Sequence, residues 1–139
     1  MKYAVIGLGA IGSIIGGLLT KSGEKVILIG KKNQVEEISK NGIKINVINN
    51  TIFVENVQVS TDLSLIKDSD VVIICVKSQD TQNLAKEMKK FIKDSCLIIS
   101  LQNGIRNSKI LKENTGNTSF SGVILFNAFS PARFKPVDL

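Results

Sequence analysis

Gly7-Leu8-Gly9-Ala10-Ile11-Gly12 is the stretch on which the reading of this sequence turns. The pattern G-x-G-x-x-G says little alone, because glycine is common. Its setting says more. Lys2-Tyr3-Ala4-Val5-Ile6 runs straight into it as a short apolar strand. Gly12 to Lys21 then carries a helical pattern through Ile14, Ile15, Leu18 and Leu19, closing near Gly23, and Lys25 to Ile29 follows as a second strand. Within such a strand-helix-strand unit each glycine has a task. Gly7 permits the tight turn off the strand, Gly9 lets the backbone approach a pyrophosphate, and Gly12 lets the helix pack closely on the sheet. Free N–H groups at the positive end of the helix would hold the phosphates. Gly16-Gly17 extend the close packing, since a helix-interior glycine costs about 1 kcal/mol relative to alanine and needs a reason. The competing reading is a glycine-rich turn without a ligand.

Outward from this unit, apolar runs and helical patterns alternate. Asn33 to Lys40 reads as a helix with Asn33 as N-cap, Glu36 three residues on and Gly42 near the C′ position. Ile43 to Ile48 and Thr51 to Val54 flank Asn49-Asn50 and suggest a hairpin. Val57 to Ser60 is a short strand. Asp70 to Val76 and Cys96 to Leu101 are apolar strands that suit a sheet buried on both faces. Helical spacing marks Gln79 to Ile92, through Leu84, Met88, Phe91 and Ile92, and Gly104 to Glu113, through Ile105, Ile110 and Leu111. Gly122 to Phe126 reads as one more strand. The sum is an α/β fold, a Rossmann-type doubly wound and mainly parallel sheet with helices on both faces. Residues 1–129 form the dinucleotide-binding domain. Residues 130–139 contain both prolines of the chain and read as a poorly ordered tail or the start of a connection.

Composition bounds the chemistry. The chain has 139 residues, 43% hydrophobic and 22% charged, which suits one domain with a real core. It has no histidine, so a Ser-His-Asp triad, a Cys-His pair and a His-ligated metal site are excluded, and no metal is expected. Cys75 and Cys96 sit in apolar runs without a C-x-x-C motif and read as buried thiols in a reducing compartment. The net charge is +6, but no basic run exceeds two residues and aromatics do not interleave with the charges. That speaks against a nucleic-acid face. The glycine-rich N-terminus lacks the form of a signal peptide, and no apolar stretch is long enough to span a bilayer, so a cytoplasmic protein without a membrane partner is expected.

The end of the second strand discriminates between cofactors. An NAD-binding unit usually places Asp or Glu there for the ribose 2′-hydroxyl. Here the sequence is Gly30-Lys31-Lys32. A carboxylate would repel a 2′-phosphate and an ammonium group attracts it, so NADP(H) is expected over NAD(H), with Lys31 or Lys32 on the phosphate. The alternative is an ordinary solvated lysine pair. Lys77 and Asn103 end the next two buried strands, where ligands of such sheets sit. Lys77 can reach phosphate or ribose, or be a surface lysine. Asn103 can contact the nicotinamide ribose or a substrate oxygen, or cap the helix that follows.

These residues together resemble the ketopantoate reductases (2-dehydropantoate 2-reductases). Gly7 to Gly12, Val76-Lys77, Leu101-Gln102-Asn103-Gly104-Ile105 and Gly122-Val123 with Phe126-Asn127-Ala128 stand in that family's order and spacing. The resemblance implies reduction of 2-dehydropantoate by NADPH on the route to pantothenate. It implies that Gly7, Leu8, Gly9, Ala10, Ile11 and Gly12 hold the pyrophosphate and that Lys31 takes the place of a basic residue for the 2′-phosphate. It further implies that Lys77 and Asn103 contact cofactor, that Asn103 also lies near substrate, and that Ala128 lies by the nicotinamide. Family members continue into a helical domain bearing the catalytic lysine. The chain is therefore expected to be the cofactor half, inactive alone, with no catalytic residue of its own. A truncated product, an excised domain and a non-catalytic dinucleotide-binding sensor or regulatory module are the forms it can take. Apolar surface left uncovered then makes a homodimer, or association with the helical domain, an expectation.

Overall fold

The structure, a computed structural model, describes residues 1–126 and Ala128. Strand β1 (Lys2–Ile6), helix α1 (Ala10–Lys21), strand β2 (Lys25–Ile29) and helix α2 (Lys32–Asn41) come first. The hairpin β3 (Ile43–Val47) and β4 (Asn50–Val54) follows, then β5 (Val59–Ser60), a 3₁₀ segment over Leu63–Asp68 and β6 (Val71–Ile74). A 3₁₀ turn at Ser78–Asp80 opens α3 (Thr81–Met88), and β7 (Leu97–Ser100), α4 (Arg106–Thr115) and β8 (Ser119–Ser121) complete the order. Asn127 and the expected tail at 130–139 lie outside the described residues.

The main sheet runs β5-β2-β1-β6-β7-β8 with every pair parallel. Leaving the hairpin aside, this is the doubly wound order in which the chain winds outward from β1, returns, and winds the other way from β6. All carboxyl ends share one edge, and the reversal falls between β1 and β6. Side chains alternate across the strands as a period of two demands. Ala4, Ile6, Val72, Ile74 and Ile98 face α3 and α4 with Ala85, Met88 and Leu111. Val5, Val71 and Ile73 face the other layer with Ile38 of α2 and Ile43, Ile45 and Val54 of the hairpin. Burying one such aliphatic side chain stabilises by about 1.5–3 kcal/mol, so the sheet is held from both sides.

Several elements depart from expectation for identifiable reasons. The residues that α1 buries most fully are glycines, Gly12, Gly16 and Gly17; of its expected apolar stripe, Ile14, Ile15 and Leu19 pack against the core partly buried, while Leu18 is 41% exposed. A Cβ on Gly16 would lie 2.8 Å from the Leu28 side chain, so the helix rides directly on β2. Helix α2 starts earlier than Asn33. Lys31 is its N-cap, and Gln34 Oε1 accepts from the Lys31 amide at 3.1 Å, so Gln34 rather than Glu36 reaches back. The hairpin turn is Ile48-Asn49, because Val47 already pairs with Asn50, and Asn49 takes φ 63°. Helix α3 ends at Met88 instead of running to Ile92. Strand β8 is Ser119–Ser121, ahead of the expected Gly122 to Phe126. The apolar run that suggested a strand there is solvent-facing, with Val123 80% and Leu125 92% exposed. The 3₁₀ segment at Leu63–Asp68 has no apolar period and gave no signal, although Asp62 caps it through Ser64 N at 2.9 Å.

Candidate functional site

Turns after β1, β2, β6 and β7 meet at the carboxyl edge of the sheet. In the first, Gly7 has φ +97°, a region that side chains rarely adopt, and a Cβ there would lie 2.6 Å from the Val76 amide nitrogen. A side chain on Gly12 would run into the Gly7 carbonyl. Fold geometry therefore accounts for both glycines. Gly9 is different. It is the N-cap of α1 with an ordinary φ of −74°, and a Cβ on it would meet nothing within 4 Å. Nothing in the chain's own packing requires glycine there. The first turn of α1 has no acidic residue and no side-chain cap, so its amides keep the donors and positive end that suit an anion. Leu8 is buried, while Ala10 and Ile11 are partly exposed at the helix start.

The end of β2 joins this turn through Gln34. Its Nε2 donates to the Leu8 carbonyl at 3.0 Å while its Oε1 accepts from Lys31 N. A Cβ on Gly30 would lie 2.7 Å from Leu8 and 3.0 Å from Gln34 Oε1. The position where a ribose-reading carboxylate was sought is thus closed by these two side chains. Lys31 and Lys32 separate here. Lys32 pairs with Glu36 at 3.9 Å, whereas the Lys31 ammonium has no hydrogen-bond or ionic partner among the described residues. Gln34 was not identified from sequence; its place three residues past an N-cap was the available signal, hidden by the wrong cap.

Lys77 and Asn103 are exposed on the turns after β6 and β7. Their side chains find no partner among the described residues, but their backbones are tied together. Ser78 Oγ donates to the Asn103 carbonyl at 3.1 Å, and Asn107 Nδ2 donates to the same carbonyl at 2.8 Å. Asn103 does not cap α4: the N-cap is Ile105, and what Asn103 contributes is its carbonyl. Ala128 is partly buried beyond β8. Of the cysteines, Cys96 is buried and Cys75 half-buried, and both are free. Burial pushes the Cys75 thiol up to about 12 and that of Cys96 to about 11, so neither is a thiolate at neutral pH. Among the described residues no cluster could hold a metal, and no helix is long and apolar enough to cross a membrane.

A family model described as "Ketopantoate reductase PanE/ApbA" matches residues 3–135. The chain belongs to the ketopantoate reductase family. This is a family of dinucleotide-binding oxidoreductases. The 2-dehydropantoate 2-reductase of Pyrococcus horikoshii is 37% identical over 116 residues, which is 84% of this chain and 37% of that protein. The crystal structure of a PanE/ApbA family ketopantoate reductase from Ralstonia eutropha is 36% identical, with TM-score 0.81 over 87% of this chain and 40% of the other. D-mandelate dehydrogenase, solved with NADH and anilino(oxo)acetate, is 25% identical, with TM-score 0.77 over 91% of this chain and 41% of its own. The chain thus spans 37% to 41% of the length of these relatives.

Proposed function

We propose that this chain is the NADPH-binding region of a 2-dehydropantoate 2-reductase-like oxidoreductase. The observation that carries the reading is Gly9: the position is empty of protein on the side where a Cβ would point, at the start of a helix whose first amides have no internal acceptor. A pyrophosphate needs both conditions. Gly7 to Gly12 hold the diphosphate, with Leu8, Ala10 and Ile11 supplying backbone. The unpaired Lys31, rather than Lys32, attracts the 2′-phosphate, and Gly30 leaves no room for the carboxylate that would repel it. The same phosphate offsets the cost of a cation at the N-terminus of α2. Lys77 and Asn103 orient the nicotinamide half, with Ala128 beside it. When bound, the nicotinamide supplies a hydride to the keto carbon of a 2-keto acid.

NADH in the mandelate dehydrogenase structure makes the choice of dinucleotide a direct test of Lys31. The family resemblance places the proton-donating lysine outside these 139 residues. The 139-residue chain is therefore expected to bind NADPH, seen as a change in nicotinamide fluorescence. It is expected to oxidise NADPH in the presence of 2-dehydropantoate at least about tenfold more slowly than a two-domain relative. Absence of NADPH binding, or turnover equal to that relative, would overturn the reading.

A further inference from the structure

The turns bearing Lys77 and Asn103 are joined by a buried polar network whose side chains never reach the open edge. Thr81, Asn107 and Gln102 are 0%, 3% and 8% exposed. Gln102 Nε2 donates to the Val76 carbonyl at 2.9 Å and to Thr81 Oγ1 at 2.7 Å, and its Oε1 accepts from Ser100 Oγ at 3.0 Å. Thr81 Oγ1 donates to Asn107 Oδ1 at 2.9 Å. Asn107 Nδ2 donates to Ser78 Oγ at 3.0 Å and to the Asn103 carbonyl, which also accepts from Ser78. The pattern brackets the two exposed residues. Val76 and Ser78, on either side of Lys77, are both tied to the β7 turn. On that turn, Asn103 follows the buried Gln102, and its own carbonyl takes two donors.

We propose that Thr81, Gln102 and Asn107 are positioning residues that set the spacing of Lys77 and Asn103 for the nicotinamide half of the dinucleotide. The inference rests on the cofactor site proposed above. Packing alone does not call for this network, because burying amides and hydroxyls is unfavourable unless each is matched, and apolar side chains would fill the same space. Matched donors and acceptors also fix backbone geometry more narrowly than apolar contacts do. Thr81 is the hub: its hydroxyl accepts from Gln102 and donates to Asn107, so one atom couples the two halves of the network.

The test uses the full chain and two probes. NADPH reaches over both halves of the edge, whereas adenosine 2′,5′-bisphosphate reaches only the side with Lys31. Thr81→Val keeps the shape and removes the hydroxyl; Thr81→Ser keeps the hydroxyl. Circular dichroism checks that each variant is folded at the assay temperature, and Asn107→Ser provides a second route into the network. The expected result is a fall in NADPH affinity of about tenfold for Thr81→Val and Asn107→Ser. Adenosine bisphosphate affinity stays unchanged, and Thr81→Ser stays near wild type. Equal losses for both probes would reduce the network to a structural role and overturn the proposal, as would unchanged NADPH affinity in folded variants. Failure of the unaltered chain to bind either probe would instead overturn the site reading, and this inference with it.

Discussion

The two edges of the central sheet treat their polar groups in opposite ways. At the amino edge, Asp70 accepts from Lys93 Nζ at 2.7 Å and from the Lys2 amide at 2.8 Å, and Glu24 and Asp68 stand near Lys25 and Lys67. Two clefts of about 560 and 550 Å³ lie there, the first lined largely by these charged residues and the second mostly by uncharged ones. At the carboxyl edge, the turns 7–12, 30–32, 75–78 and 101–105 contain no carboxylate. Amides of the first turn of α1, Lys31, Lys77 and the side chain of Asn103 are left without partners among the described residues. At the amino edge Asp70 is matched by Lys93 and the Lys2 amide, whereas the donors on the carboxyl-edge turns stand without partners among the described residues, a reserve suited to an anion.

The contrast breaks most visibly at Gly12. Alanine there forces the Gly7 carbonyl aside, and overpacking of this kind costs on the order of 1–3 kcal/mol or more. Gly12→Ala is expected to lower the melting temperature by several degrees and abolish NADPH binding; an unchanged Tm would mean that the turn yields easily. Gly9→Ala separates binding from stability. With nothing within 4 Å of the added Cβ, stability should change by less than about 1 kcal/mol, the scale of a helix cap. NADPH affinity should fall at least about tenfold. Equal affinity of variant and wild type would show that the space at Gly9 is not used by a ligand.

How much was legible beforehand follows the same division. Strands β1, β2 and β6 and the glycine turn were readable because two-sided burial writes continuous apolar runs, and because a strand-to-helix turn this tight needs glycine at fixed spacing. Strand β8 was misplaced because Ser119-Phe120-Ser121 carries no such run, while the exposed Val123 and Leu125 imitate one. The bond from Gln34 to the Leu8 carbonyl and the Thr81-Gln102-Asn107 network were out of reach. Their roles depend on residues about twenty to thirty positions away, and polar side chains have no period that reveals a buried partner. That Lys77 and Asn103 follow successive buried strands was anticipated, but the bonds that join their turns were not.

A smaller effect sharpens the choice of cofactor. Lys31→Glu is expected to weaken NADPH about tenfold and NADH by less than about threefold, and equal losses would mean that Lys31 does not read the 2′-phosphate. The smallest effect belongs to the amino edge. Lys93 first, and the Lys2 amide second, hold the Asp70 carboxyl below its ordinary value of 3.8. Its contribution is present above that value and is lost as pH falls through the depressed one. Hydrogen bonding to Asp70 raises Lys93 above 10.5, so that contribution is present below 10.5 and lost as pH rises through the raised value. Asp70→Asn should flatten both limbs of a Tm-against-pH profile without altering NADPH affinity. A variant that kept both limbs would contradict this account of the pair.

Calorimetric titration of the purified 139-residue chain with NADPH and with NADH puts the reserve of donors at the carboxyl edge to its most direct trial. The account predicts saturable binding of NADPH, tighter than that of NADH by about tenfold. Heat of dilution alone for both dinucleotides up to millimolar concentration would contradict it.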